Sequence, residues 1–228
     1  MPSRAFSFYL CLHVAFVTSQ LLPPFPRILG GAPKCRPTAP ATLGPYYIAG
    51  APPSKETICK GANENHQRLI VTGRILDATD CRTPLASIIE VWHADMNGAY
   101  SHFQYNDSYD CRATIETRSD GQYFLKTKFP GRYRINEKVV NSYRPAHVHF
   151  KITPLNPKYG VLITQLYFEN DMFLYPHDSC DATVCTSNDT ALIVSLTNFR
   201  DVKTFEGKWD VYIKPGGNGF IDSGKGGH

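Results

Sequence analysis

The chain has 228 residues with 24 Lys+Arg against 20 Asp+Glu, and 42% of it is apolar and 19% charged. This composition lies inside the globular range and outside the disordered one, and the length suits one large domain or two small ones. A formal charge of +4, spread along the chain, excludes the basic footprint of a nucleic-acid binder.

In chain order, Arg4 precedes the apolar run Ala5 to Val17 and the small residues Thr18-Ser19. Residues 1–19 therefore read as a secretory signal peptide cleaved before Gln20, too short to span a bilayer. The expected mature protein is secreted, extracellular and free of membrane segments. Residues 20–41 carry Pro23, Pro24, Pro26, Pro33, Pro37 and Pro40, which exclude a helix and most strand pairing and predict an extended strap. Beyond Cys11, six cysteines remain, and export makes three disulfides the expectation. Cys180 with Cys185 is favoured, then Cys35 with Cys59 and Cys81 with Cys111. Close cysteine pairs at zinc-finger spacing are lacking. Asn106-Asp107-Ser108 and Asn188-Asp189-Thr190 are permissive for glycosylation.

Residues 42–215 form the expected folded domain. From Arg68 onward, short β-branched and aromatic runs recur: 69–77, 86–93, 113–118, 122–128, 146–153, 162–168, 191–197 and 209–214. They predict an all-β chain, an antiparallel β-sandwich with long loops and few short helices. Asp120-Gly121 between two runs signals a type I′ hairpin. The glycine-rich stretch 216–228 predicts a flexible tail without phosphate-loop spacing.

Chemistry concentrates in Arg144-Pro145-Ala146-His147-Val148-His149-Phe150-Lys151-Ile152. On a strand, Val148, Phe150 and Ile152 point one way while His147 and His149 point the other, so two imidazoles share a face opposite an apolar core. Such a pair suits a metal, although surface or hydrogen-bonded histidines explain an isolated His-X-His as well. Several of the 13 tyrosines follow glycines, as in Gly98-Ala99-Tyr100 and Gly131-Arg132-Tyr133. Most such tyrosines pack, but a phenolate is a hard anionic ligand suited to ferric iron.

The combination resembles the intradiol ring-cleavage dioxygenases, non-haem iron(III) enzymes that open catechol rings between the two hydroxylated carbons. The similarity runs in order through Thr42 to Tyr47 with Gly50-Ala51-Pro52, Glu90 to Asp95 with Gly98-Ala99-Tyr100, and Arg118 to Tyr123 with Pro130 to Tyr133. It continues through Arg144 to Phe150 and Thr164 to Phe168. The resemblance implies one Fe(3+) per chain on Tyr100, Tyr133, His147 and His149, with a catecholic substrate and O2. It gives Arg144 a place over the substrate ring, Gln165 one beside the oxygen site, and Tyr133 the role of a ligand that leaves when substrate binds. Leu43, Gly44, Pro45, Tyr46 and Asp95 are expected to line the substrate mouth, whereas His93 supports the core. Bacterial members carry an N-terminal helical dimerisation region; here only the proline-rich strap precedes Thr42, so a monomer is expected. Two rival readings are a secreted, non-catalytic transthyretin-like β-sandwich module, suggested by Val71 to Ile75 and Asp120 to Tyr123, and a zinc hydrolase built on His147 and His149. The hydrolase would want a further carboxylate or histidine.

Overall fold

A computed structural model describes residues 35–54, 58–59, 66–105, 109–198 and 203–220, all inside the unit Gly31–His228. The expected signal peptide, residues 20–34 of the strap, Asn106 and residues 221–228 of the tail lie outside the described residues.

The described residues build two five-stranded sheets. The first is organised around β1 (Arg68–Asp77), with β4 (Gln122–Lys128) antiparallel on one side and β9 (Thr204–Lys208) and β10 (Val211–Ile213) parallel to it. The short β8 (Thr197–Asn198) closes its far edge. The second runs in the order β3 (Arg112–Glu116), β2 (Ser87–Trp92), β5 (His147–Pro154), β6 (Leu162–Phe168) and β7 (Ile193–Val194). Among the described residues helix is confined to α1 (Ala182–Cys185) and a 3-10 turn at Thr190–Leu192, and no helix there is long and apolar enough to cross a membrane. The sheets bury one core: Leu69, Val71, Leu125 and Val211 from the first, with Ile89, Val91, Val148, Phe150, Ile152 and Leu166 from the second. Phe150 meets Trp209 and Tyr123 across the interface, at ring centroid separations of 5.1 and 5.9 Å.

The β-sandwich expectation holds, with three differences. First, both sheets are mixed, because β9, β10 and β7 pair parallel to their neighbours. Second, Asp120-Gly121 does not close a hairpin. Its flanking strands β3 and β4 belong to different sheets, so the turn carries the chain across the sandwich. Gly121 has φ +74, its N–H bonds the Arg118 carbonyl at 2.9 Å, and Asp120 Oδ1 accepts from Gln122 N.

Third, the disulfides are Cys35–Cys81, Cys59–Cys111 and Cys180–Cys185, so two of the three favoured pairings are corrected. Strand pairing decides them. Thr38 N bonds Tyr212 O of β10, which runs beside β1 and so brings Cys35 to the turn after that strand; Cys111 N bonds Ile58 O, next to Cys59. The described strap and tail are tied to the same edge, where Asn218 Nδ2 donates to the carbonyls of Thr38 and Tyr212.

Candidate functional site

The outer face of the second sheet carries the site, and strand register places its residues. Because the side-chain period is two, His147 and His149 turn away from the core that Val148, Phe150 and Ile152 fill. Trp92 of β2 and Gln165 of β6 flank His149 in register, and Tyr167 flanks His147. Trp92 stacks on the His149 ring at 4.7 Å and 6°. Loops cover this face, so all of β6 is buried although it belongs to a two-sided sheet.

Two of those loops deliver Tyr100 and Tyr133, and the glycines in their motifs explain how. A Cβ on Gly98 would stand 2.3 Å from the Arg132 carbonyl oxygen, and one on Gly131 would stand 2.4 Å from that of Met96. The loops therefore cross backbone against backbone, pinned by Gly131 N to Asp95 O at 2.8 Å. Asp95 Oδ1 accepts from Asn97 N and Ala99 N, which closes the turn leading into Tyr100. Tyr100 and Tyr133 meet edge to face with centroids 5.5 Å apart, and Tyr46 stacks on Tyr100 at 4.3 Å.

Three donor atoms meet here, with the Tyr133 ring packed beside them. His147 Nε2 lies 3.2 Å from His149 Nε2 and 3.4 Å from the Tyr100 hydroxyl, and the Tyr133 ring centroid is 5.7 Å from that of His147. His147 Nδ1 donates to the Pro145 carbonyl at 2.7 Å, which leaves a lone pair on Nε2. Burial, then the Arg144 charge, holds the His147 pKa well below its usual value; burial, His147 and Arg144 do the same for His149. Both rings are therefore neutral, and His147 is basic at its inner nitrogen. Tyr100, fully buried, has its phenol pushed well above 10 by burial and then by Tyr133, opposed by Arg144 and Arg112. Forming its phenolate thus calls for a close cation.

Two lone-pair nitrogens 3.2 Å apart repel unless a proton or a cation lies between them. Two imidazoles and two phenols fit a hard, highly charged cation, with the phenolates supplying the charge balance that burial requires. This donor set fits non-haem ferric iron.

Arg144 is buried beside the donors. Its Nε pairs with Asp178 Oδ1 at 2.9 Å, and its Nη2 donates to Gln165 Oε1 at 3.0 Å and to the Tyr167 hydroxyl at 2.8 Å. Gln165 Nε2 in turn donates to the Thr42 carbonyl at 3.3 Å. Burial opposes the guanidinium charge, but Tyr167, Tyr133 and Asp178 outweigh it, so the cation persists. At the mouth, Leu43, Tyr46 and Tyr133 pack on the Trp92–Ala94–Tyr100 cluster, Gly44 lies against the His149 ring, and Pro45 is exposed. Asp95 orders a loop there and makes no described contact with the donors.

His93 stays in the core: Nδ1 donates to Ala94 O and Nε2 accepts from Thr127 Oγ1, with burial lowering its pKa to about 4. It lies near Cys59 and Cys111, but those sulfurs are bonded to each other and are not thiolate ligands. Sequence reasoning missed Tyr167 and Asp178 around Arg144, and Trp92 behind His149. Tyr167 was signalled by its spacing of two from Gln165, whereas Asp178, on an irregular loop, was not.

Known proteins resemble this chain in sequence and in fold. A dioxygenase family model matches residues 42–215. A chlorocatechol 1,2-dioxygenase of Pseudomonas putida is 32% identical over 164 residues, covering 67% of this chain and 61% of that protein. The first three curated relatives are spanned over 61%, 61% and 57% of their length. The crystal structure of 3-chlorocatechol 1,2-dioxygenase from Rhodococcus opacus superposes with TM-score 0.67 at 29% identity, over 79% of this chain and 74% of that one. The dioxygenase domain of a carbohydrate-binding fusion from Streptomyces sp. SirexAA-E superposes with TM-score 0.61 at 25% identity, over 79% of this chain and 99% of that one.

Proposed function

This chain belongs to the intradiol ring-cleavage dioxygenase family, and on that premise we propose that it opens catechol-type rings between the two hydroxylated carbons with O2, giving cis,cis-muconate-type products. One Fe(3+) per chain would be held by Tyr100, Tyr133, His147 and His149. The observation that carries the reading is the convergence of two neutral, buried imidazole nitrogens with two tyrosines on one sheet face. A non-catalytic module has no use for that convergence. A zinc hydrolase would want a carboxylate or third histidine beside the pair, and Asp178, the carboxylate of the Arg144 network, is engaged by that guanidinium.

Bound ferric iron would act as a Lewis acid that draws electron density from a chelated catecholate, so that the ring itself becomes reactive toward O2. The protein residues divide the remaining work. His147, oriented by Pro145, and His149, stacked on Trp92, would offer neutral nitrogens to the metal. Tyr100 is enclosed between Tyr46 and the sheet and would remain fixed, while Tyr133, half-buried on its loop, would be the ligand that turns away and takes a substrate proton on its phenolic oxygen. Arg144 places a fixed positive charge where negative charge grows on the ring, and Gln165 stands beside it. Leu43 and Tyr46, packed on the Trp92–Ala94–Tyr100 cluster, and Gly44, against the His149 ring, would shape the substrate's entry.

Export is part of the same proposal, supported by the signal-like residues 1–19 and by three disulfides, which persist in oxidising compartments. So is action as a monomer, which a site drawing every proposed donor from one chain permits. The test is oxygen uptake by the iron-loaded chain with catechol. One O2 per muconate formed supports the reading, and the absence of ring opening with catechol and chlorocatechols overturns it.

A further inference from the structure

Arg144 has four side-chain torsions, yet it is only 2% exposed and held by a fork of contacts. One prong is Asp178, itself 1% exposed, whose Oδ1 accepts from Arg144 Nε and from Cys180 N, both at 2.9 Å. The other prong is Nη2, bonded to Gln165 and to Tyr167, whose hydroxyl rests against the Cys185 carbonyl. Both prongs thus lead to the segment Asp178 to Cys185, in which the Cys180–Cys185 disulfide closes a loop whose first residue holds Asp178 through its N–H and whose helix α1 is capped by Asp181. The same segment reaches the mouth, because Val184 O accepts from Thr42 N, while Gln165 Nε2 bonds Thr42 O. Stability does not require such a pair, since apolar replacements of buried ion pairs are often neutral or better. What the pair supplies is a defined guanidinium direction, because Nε and Nη2 lie in one rigid plane.

We propose that Asp178 is a positioning residue for Arg144, held in place by the loop that the Cys180–Cys185 disulfide closes. The inference rests on the ring-opening reading above. Asp178 acts through Arg144 and touches none of the four proposed metal donors, so its loss should misdirect the guanidinium and leave metal binding alone.

The experiment compares the iron-loaded parent chain with Asp178→Asn, Arg144→Ala, their double variant, and the Cys180→Ser/Cys185→Ser chain. Iron content and colour in Asp178→Asn should match the parent, and anaerobic binding of 4-nitrocatechol should change less than threefold, while kcat falls tenfold or more. In the Arg144→Ala background, Asp178→Asn should lower kcat less than twofold further, a non-additivity that a merely structural residue would not show. The serine variant should give the same split with a smaller fall. Parent-like kcat in Asp178→Asn, or an equal fall with and without Arg144, overturns the proposal. If Asp178→Asn does not fold, the serine pair against Arg144→Ala decides by the same criterion. A parent that binds iron without opening catechol overturns the ring-opening reading and this inference with it.

Discussion

At the scale of single residues, burial separates the two tyrosines. Tyr100 is wholly enclosed and Tyr133 is half open, so their loss should differ in kind. Tyr133→Phe should retain iron on the three remaining donors yet open catechol at least tenfold more slowly, because a proton acceptor is gone. Tyr100→Phe should lose iron as well as rate, since that phenol is stacked under Tyr46 and cannot be replaced by a neighbour. Iron content and single-turnover rates of both variants measure this; parent-like turnover in Tyr133→Phe would reassign the mobile role. The histidine pair was legible in the sequence from its period of two around Val148, whereas Tyr100 and Tyr133 stood out from other glycine-preceded tyrosines only through the family resemblance. Asp178 was not legible, since its place depends on a loop 34 residues beyond Arg144 in the chain.

Among the elements, the two crossed loops carry the greatest structural demand. Gly98 combines φ +84 with a carbonyl 2.3 Å from any added Cβ. Gly98→Ala should therefore cost about 2 kcal/mol or more and displace both tyrosines, lowering the thermal midpoint and iron content together. Parent-like iron loading in that variant would show that the crossing does not position the ligands. The main strands were readable from β-branched alternation, whereas β9, with Glu206, Gly207 and Lys208, lacked it and went unread. Gly73 marks where β9 gives way to β10, because the Trp209 carbonyl crosses within 1.8 Å of where its Cβ would be. The Asp120-Gly121 signal correctly gave a turn, but a local turn cannot say whether its strands share a sheet. The two long-range disulfide pairings failed for the same reason, since they follow from parallel and distant neighbours that chain order does not encode, whereas the local Cys180–Cys185 pairing held.

For the whole molecule, buried histidines tie stability to pH. His93 falls to about 4 in the folded chain against 6.5 when free, and His147 and His149 are also lowered. All three are neutral in both states above pH 6.5. As pH falls through 6.5 the unfolded chain takes up protons first, so stability declines, and His93 alone removes about 3 kcal/mol by the time its folded pKa is reached. Denaturant midpoints of the metal-free protein should therefore drop steadily from pH 7 to pH 4; a flat profile would contradict the burial of these rings. The central claim, that Tyr100 and Tyr133 share a ferric ion with His147 and His149, is tested most directly by the visible absorption of the iron-loaded chain. Stoichiometric iron should bring an intense phenolate-to-iron(III) charge-transfer band that moves to longer wavelength when catechol is added without oxygen. A chain that carries one ferric ion and remains colourless would contradict it.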